Sequence, residues 1–245
     1  MRESNRTQRS WCGCARRFMC RSTAPPLIPA PSLSVGAAIG RRLLAEGWSV
    51  TGLSRREPEP EPALRWLPAD LTHPAELRSL LAGVPTPDAV VHAAGLQRSA
   101  PLGSLSDADG EEMWRVHVAA ATTLVDTLAP RLPEGARVVL IGSRTMTGVP
   151  GKSQYAATKA ALLALARSWA AELAARRITV NVVAPGPTDT PMLADPRRSR
   201  TPPQVPPLGR FVTPEEVAGL TAFLLGPYGG SITGQQLVQC AGASL

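Results

Sequence analysis

The chain has 245 residues, 44% of them hydrophobic, and a formal net charge of +7. That length suffices for one α/β domain with a sizeable core, and no apolar run approaches the roughly 18 residues that a membrane span needs. The charge is local, because Arg2, Arg6, Arg9, Arg16, Arg17 and Arg21 face only Glu3 in the first 24 residues, so the basic excess gives no ground for a nucleic-acid surface.

Residues 1–26 show no periodicity and end in Ala24-Pro25-Pro26. An Arg- and Ser-rich, acid-poor stretch matches a mitochondrial transit peptide in composition. A disordered extension, or a start-site or reading-frame artefact, is the expectation, with the folded domain over 27–245. Cys12, Cys14 and Cys20 cluster there, and Cys240 stands alone. With no histidine nearby, this is neither a disulfide framework nor a zinc pattern, and a reduced cytoplasmic setting with no metal is expected.

From about residue 34 helices and strands alternate. Helices are expected over Gly36–Glu46, Pro74–Leu81, Asp109–Leu128, Tyr155–Arg176 and Pro214–Leu225. Strands are expected over Trp48–Leu53, Asp88–Gly95, Val138–Ser143, Ile178–Val183 and Gln235–Cys240. Apolar strands separated by helices imply an α/β fold with a doubly wound parallel sheet covered on both faces. Ligands of such sheets bind outside the carboxyl ends of the strands.

The most informative spacing is Tyr155 to Lys159 in Ser153-Gln154-Tyr155-Ala156-Ala157-Thr158-Lys159. Four residues apart on a helix, the two side chains share a face. An ammonium beside a phenol favours the phenolate and draws its pKa down from about 10. Such a phenol can give a proton to a carbonyl oxygen or take one from an alcohol. Lys152 and Lys159 are the only lysines of the chain, which makes Lys159 less easily dismissed as a random surface charge.

Several further motifs stand in order: Ser54-Arg55, Asp70-Leu71, His92-Ala93-Ala94-Gly95, Ser143 at a strand end, Pro185-Gly186-Pro187-Thr188-Asp189-Thr190, Thr233-Gly234-Gln235 and Ala241-Gly242. With the Tyr-Lys pair, they make residues 34–245 resemble the short-chain dehydrogenase/reductase family, most closely its 3-oxoacyl-reductase-like members. The resemblance implies a single Rossmann-like domain and a nicotinamide cofactor. It makes Tyr155 the general acid/base, with Lys159 tuning it and holding the nicotinamide ribose, and Ser143 positioning the substrate oxygen. It places Ser34, Gly36, Ile39, Arg55, Asp70, Leu71, Ala93, Ala94, Gly95, Pro185, Gly186, Thr188 and Thr190 at the cofactor. The family's fourth catalytic residue is an asparagine, and His117 aligns with it in Trp114-Arg115-Val116-His117-Val118. A histidine can hold a relay water there, or be a helix histidine with satisfied nitrogens.

Two departures bear on the cofactor. Where the family has Thr-Gly-x-x-x-Gly-x-Gly, this chain has Pro29, Ala30 and Ser34 at the first three of those fixed positions and keeps only Gly36. Those glycines allow a tight turn and close backbone approach to a pyrophosphate. Upstream, Pro25, Pro26 and Pro29 fall where the first, central strand belongs, so that strand is expected to be absent or distorted. The second departure is at the end of the second strand, where NAD-specific sheets carry an acid. Here Ser54 precedes Arg55 and Arg56, and guanidinium groups suit a ribose 2′-phosphate, so NADP(H) is expected over NAD(H).

Thr190–Gly209 would form a proline-rich, irregular substrate lid, whose Arg197, Arg198 and Arg200 either meet an anionic acyl carrier or coenzyme A or are simply solvated. The substrate expected is a small carbonyl or alcohol, with no nucleic-acid or membrane partner. By family analogy the chain forms a homodimer or homotetramer through its long helices. Two readings follow: an NADP(H)-dependent carbonyl reductase or alcohol dehydrogenase, or a protein that keeps the fold while its altered glycine loop impairs the cofactor or abolishes catalysis.

Overall fold

The computed structural model describes residues 27–29, 34–58, 60–195 and 202–245, with only the backbone described for 27–29. The N-terminal extension with Cys12, Cys14 and Cys20, the loop residue Ala30, and the lid residues Arg197, Arg198 and Arg200 lie outside the described residues.

Seven strands are formed: β1 Leu27–Pro29, β2 Val50–Ser54, β3 Leu64–Pro68, β4 Ala89–His92, β5 Arg137–Ile141, β6 Thr179–Pro185 and β7 Gln236–Gln239. The helices are α1 Val35–Ala45, α2 Pro74–Ala82, α3 Asp107–Trp114, α4 Ala120–Leu128, α5 Ser153–Leu173 and α6 Pro214–Leu225. All neighbouring strands pair in parallel, in the order β3-β2-β1-β4-β5-β6-β7. The order reverses between β1 and β4, and a crevice opens there at the carboxyl ends.

The two-residue period of a strand divides the core. Val138 and Leu140 of β5 pack with Leu77 and Leu81 of α2, Leu124 of α4 and Leu162 of α5. Val139 and Ile141, pointing the other way, pack with Ile39 and Leu43 of α1 and Val217 and Leu224 of α6. Each such aliphatic side chain contributes about 1.5–3 kcal/mol by leaving water, and this fixes the register that delivers Ser143 to the end of β5. α6 begins with a capping box, in which Thr213 Oγ1 accepts from the Glu216 N–H and the Glu216 carboxylate accepts from the Thr213 N–H.

Of the two expected outcomes for the first strand, absence and distortion, the second is found: it is present but shortened to three residues. Leu27, Ile28 and Pro29 pair with Thr51, Gly52 and Leu53, whereas the register with β4 is Leu27 against Val90. Pro29 closes the strand, which is where a residue without an N–H ends a ladder.

Two elements depart from the sequence expectation. β3 went unread because it is an edge strand of mixed exposure that follows Pro58, Pro60 and Pro62, so it shows no continuous apolar run. The long middle helix is not uniform. Between α3 and α4 the residues Arg115–Ala119 form a π turn centred on His117, and such turns are insertions that cluster at functional sites.

The closing motif is structural. Thr233 Oγ1 accepts the Val180 N–H at 3.1 Å, and Gly234 donates to the Val180 carbonyl at 2.7 Å. Buried Asn181 completes the tie by donating to Ile232 and accepting from Gln235. Ala241, which replaces a family glycine, adopts a φ of 50°. That left-handed conformation costs a residue with a Cβ about 1 kcal/mol. Among the described residues, no helix is long and apolar enough to cross a membrane, and no group of acidic, histidine and cysteine side chains could hold a metal ion.

Candidate active site

The crevice is a cavity of about 380 Å³ lined from the ends of β4, β5 and β6 and from the first turns of α5. Ala93 and Gly95 follow β4, Ser143 follows β5, Pro185 and Gly186 end β6, and Tyr155 and Lys159 face in from α5. Thr188 and Thr190 line it beyond the end of β6. These are residues the sequence singles out, and the fold brings them to one place.

Lys159 is 3% exposed, and its Nζ donates to the Ile141 carbonyl at 2.9 Å. Burial pushes its pKa down to about 7. Across the cavity, the wall at Gly95 is backbone alone. A Cβ there would stand 3.4 Å from Lys159 Nζ and 3.3 Å from His117 Nε2. Gly186 is equally constrained, since a Cβ would fall 2.7 Å from the Cα of Cys240. Thr188 donates to the Gly186 carbonyl and Thr190 to the Thr188 carbonyl, which folds the turn over the cavity. Ser143 Oγ accepts from the Thr145 N–H and shares a 2.9 Å hydrogen bond with the Thr145 hydroxyl, so its position is fixed before any substrate arrives.

His117 does not hold a relay water through its ring. It is 0% exposed, and both nitrogens are engaged by protein. Nε2 accepts the Leu96 N–H at 3.1 Å, and Nδ1 meets Thr158 Oγ1 at 2.9 Å. Thr158 in turn donates to the Tyr155 carbonyl, so Nδ1 must carry the proton, and the network assigns a neutral tautomer. Burial, then the charge of Lys159, holds the His117 pKa well below its usual value, which agrees with that assignment. His117 is thus a tie between the Gly95–Leu96 loop and the Tyr155 helix, and its ring edge also meets Tyr155 at a centroid distance of 5.6 Å. Beneath it, His92 is fully buried. The backbone of Val116 and His117 approaches its ring without reaching hydrogen-bonding geometry, and burial lowers its pKa to about 3.

A second recess shares Arg56 and Gly95 with the cavity. Arg55, Asp70, Leu71 and Ala94 also line this recess. Asp70 Oδ1 accepts from the Thr72 N–H and hydroxyl. That N–H, seconded by the hydroxyl and the Arg55 charge, keeps its carboxyl below the usual range against the opposing effect of burial. Ser54 donates to the Arg56 carbonyl at 2.6 Å and accepts from the Trp66 indole, so its hydroxyl shapes the turn that presents both arginines.

Two residues assigned to the cofactor do not line the cavity. Ile39 is 0% exposed and belongs to the core between α1 and the sheet, so it packs rather than binds. Gly36 is buried in the first turn of α1, and the cavity there is lined by Ser34 and Val35. Ser34 itself caps α1, its Oγ accepting the Ala37 N–H at 3.4 Å. Sequence reasoning also passed over Arg144, Lys152 and Met192 on the cavity wall. Their only signal is adjacency to Ser143, Tyr155 and Thr190. Arg98, with a side chain only 10% exposed, joins Asp109 and Glu112 of α3 to Asp195.

These features agree with what the chain is similar to. A family model described as enoyl-(acyl carrier protein) reductase matches residues 30–244. The 3-oxoacyl-[acyl-carrier-protein] reductase FabG of Salmonella typhimurium is 32% identical over 228 residues, covering 86% of this chain and 93% of that protein. The reductase of the same name from Thermotoga maritima is 34% identical over 154 residues, which span 60% of this chain and 62% of that relative. A short-chain dehydrogenase from Burkholderia cenocepacia, solved in complex with NADP, superposes with a TM-score of 0.80 at 33% identity over 92% of this chain and 99% of that one.

Proposed function

The chain belongs to the short-chain dehydrogenase/reductase family, among its 3-oxoacyl-reductase-like members, and on that premise we propose that it interconverts a carbonyl and a secondary alcohol with NADP(H). The observation that carries this reading is the convergence of Ser143, Tyr155 and buried Lys159 on one cavity at the switch point of the sheet. The cofactor fits that crevice. Gly95 and Lys159 line it side by side with no side chain between them, and Arg55 and Arg56 offer guanidinium groups in the recess beyond.

When bound, the nicotinamide supplies or accepts the hydride. Ser143 donates a hydrogen bond to the substrate oxygen and holds it against Tyr155. In reduction the Tyr155 phenol gives its proton to that oxygen, and in oxidation the phenolate takes it back. Lys159 favours the phenolate by its charge and donates to the nicotinamide ribose. Arg55 and Arg56 hold the 2′-phosphate, and Asp70 and Leu71 flank the adenine. Thr188 and Thr190 bound the nicotinamide. The substrate is a small carbonyl compound, free or carried as an acyl thioester, in keeping with the acyl-carrier substrates that the relatives' names print. A homodimer or homotetramer in a reduced cytoplasmic compartment completes the reading.

The cofactor assignment has a direct test. Arg55→Ala should weaken NADPH binding about tenfold, the effect of losing one charge-assisted hydrogen bond, and barely alter NADH. Fluorescence titration with both nucleotides measures it, and an equal loss for both would show that Arg55 does not read the phosphate.

Lys159 gives a second test through pH. Its buried amine, with a pKa of about 7, is largely neutral in the free protein at pH 8. A bound anionic nucleotide favours the ammonium and raises that pKa. Binding at pH 8 must then take up a proton, and affinity must fall as pH rises above about 7. The 2′-phosphate is already ionised at pH 8, so it does not contribute. Calorimetry in buffers of different ionisation enthalpy should show uptake, and Lys159→Met should abolish it. A binding enthalpy independent of buffer would contradict the assignment.

A further inference from the structure

The cavity is lined by Arg56, Arg144, Lys152 and Lys159 and, among the described residues, by no acidic one. Two of these cations have a use in the reading above: Lys159 at the ribose, and Arg56 beside Ser34 and Val35 at the nucleotide end. Arg144 has none. It directly follows Ser143 and opens the short turn Arg144–Thr147, which is pinned by hydrogen bonds from Thr147 to the Arg144 carbonyl and from Met146 to the Ser143 carbonyl.

Arg144 Nε is shielded from solvent and has no hydrogen-bond partner, and the group makes no ion pair with a described residue. Arg137 Nε is also buried without a partner, but the rest of that guanidinium bonds backbone carbonyls, and Arg144 differs in having no such bond. Arg98, similarly shielded, has Asp109, Glu112 and Asp195. Arg131 donates to the carbonyls of Leu81 and Val84, and Arg176 to those of Ala129 and Leu132. The shielded Nε is out of a ligand's reach, but the terminal nitrogens of Arg144 are not among the buried atoms and make no hydrogen bond to a described residue. They are the donors left for a ligand, and a planar guanidinium matches a carboxylate fork to fork.

We infer that Arg144 is a carboxylate clamp, and that the substrate is a small oxo acid, or in the reverse direction a hydroxy acid, whose carboxylate meets Arg144 while its carbonyl faces Ser143 and Tyr155. Arg144 directly follows Ser143 and lines the same cavity, so the clamp and the positioning serine can serve two groups of one substrate. A carrier phosphate is excluded from this role. The whole length of a pantetheine arm separates it from the thioester carbonyl. Lys152, which precedes Tyr155 at the start of α5, adds positive charge to the same end of the cavity. The inference rests on the hydride-transfer reading for its chemistry, but not for its binding.

The test compares 3-oxo and 4-oxo acids with their methyl esters as substrates with NADPH. The acid should exceed its ester by at least tenfold in kcat/KM. Arg144→Met and Arg144→Gln should bring that ratio to about one, and Arg144→Lys should keep part of it. Equal use of acid and ester by the unaltered protein overturns the clamp, as does a ratio that survives in a folded Arg144→Met or Arg144→Gln. So does a preference for coenzyme A thioesters over neutral N-acetylcysteamine thioesters that disappears in Arg144→Met, because Arg144 would then read a phosphate. Calorimetric titration with a hydroxy acid and its ester, with and without NADP⁺, separates the two levels. Acid-selective binding that depends on Arg144, without turnover, keeps the clamp and rejects hydride transfer. Absence of acid-selective binding rejects the clamp whatever the turnover.

Discussion

Tyr155→Phe is expected to lower kcat by about 10²- to 10⁴-fold, the range that a positioned general acid contributes, with little change in stability. Tyr155 is 8% exposed, and its ring packs against the edge of His117. Phenylalanine keeps that ring and that contact and removes only the hydroxyl. Because the proton is transferred in the transition state, kcat and kcat/KM should fall together. The chain supplies its own control, since its other tyrosine, Tyr228, is 79% exposed in the turn after α6 and does not line the cavity. Tyr228→Phe should turn over at the unaltered rate. Steady-state kinetics of both variants, with thermal melts to confirm the fold, measure the effect. Near-normal turnover in Tyr155→Phe would remove Tyr155 from the proton transfer.

The pair of Tyr155 and Lys159 is legible in the sequence because a helix turns spacing into proximity with no help from the rest of the fold. The same holds for the strands that are apolar on both faces. Val138 to Ile141 reads as a buried strand because both of its faces meet helices. β3 is illegible for the opposite reason, since an edge strand needs no continuous apolar run and prolines precede it. His117 shows a different limit. Its position marks it as a site residue, but its role depends on Leu96 and Thr158, which are 21 and 41 residues away in sequence. No local pattern encodes that tie or the π turn that aims it. Ile39 was misplaced because motif alignment gives an order of residues, not a direction of side chains. One face of α1 turns toward the cavity at Ser34 and Val35, and another buries Ile39. Arg144 carries no motif at all, and only the cavity wall gives it meaning.

Replacing residues 22–35 with a family-like strand and a Thr-Gly-Ala-Ser-Ser-Gly-Ile turn is expected to strengthen NADPH binding by at least tenfold, and to raise turnover with it. The chain as written should bind weakly. Its Ser34 hydroxyl is spent on the Ala37 N–H as a helix cap, and Pro29, Ala30 and Ser34 stand where the family's backbone has Thr and Gly. A Cβ at such positions hinders the close approach of backbone N–H groups to a pyrophosphate. The start of α1 still offers its dipole, about 0.3–1 kcal/mol for a nearby anion, and this keeps some affinity. The remainder of the site needs no repair. Lys159 is anchored on Ile141, Ser143 on Thr145, and the backbone of Gly95 lies close against Lys159 and His117, and none of these lies in the replaced segment. Nucleotide titration of the graft and the parent, followed by a screen of ketones, oxo acids and 3-oxoacyl thioesters, separates the two functional readings. A graft that gains both affinity and turnover shows an enzyme limited by its loop. A graft that folds, binds NADPH tightly and reduces none of these carbonyls would falsify the reductase assignment, leaving a protein that retains the fold and the cofactor crevice without the chemistry.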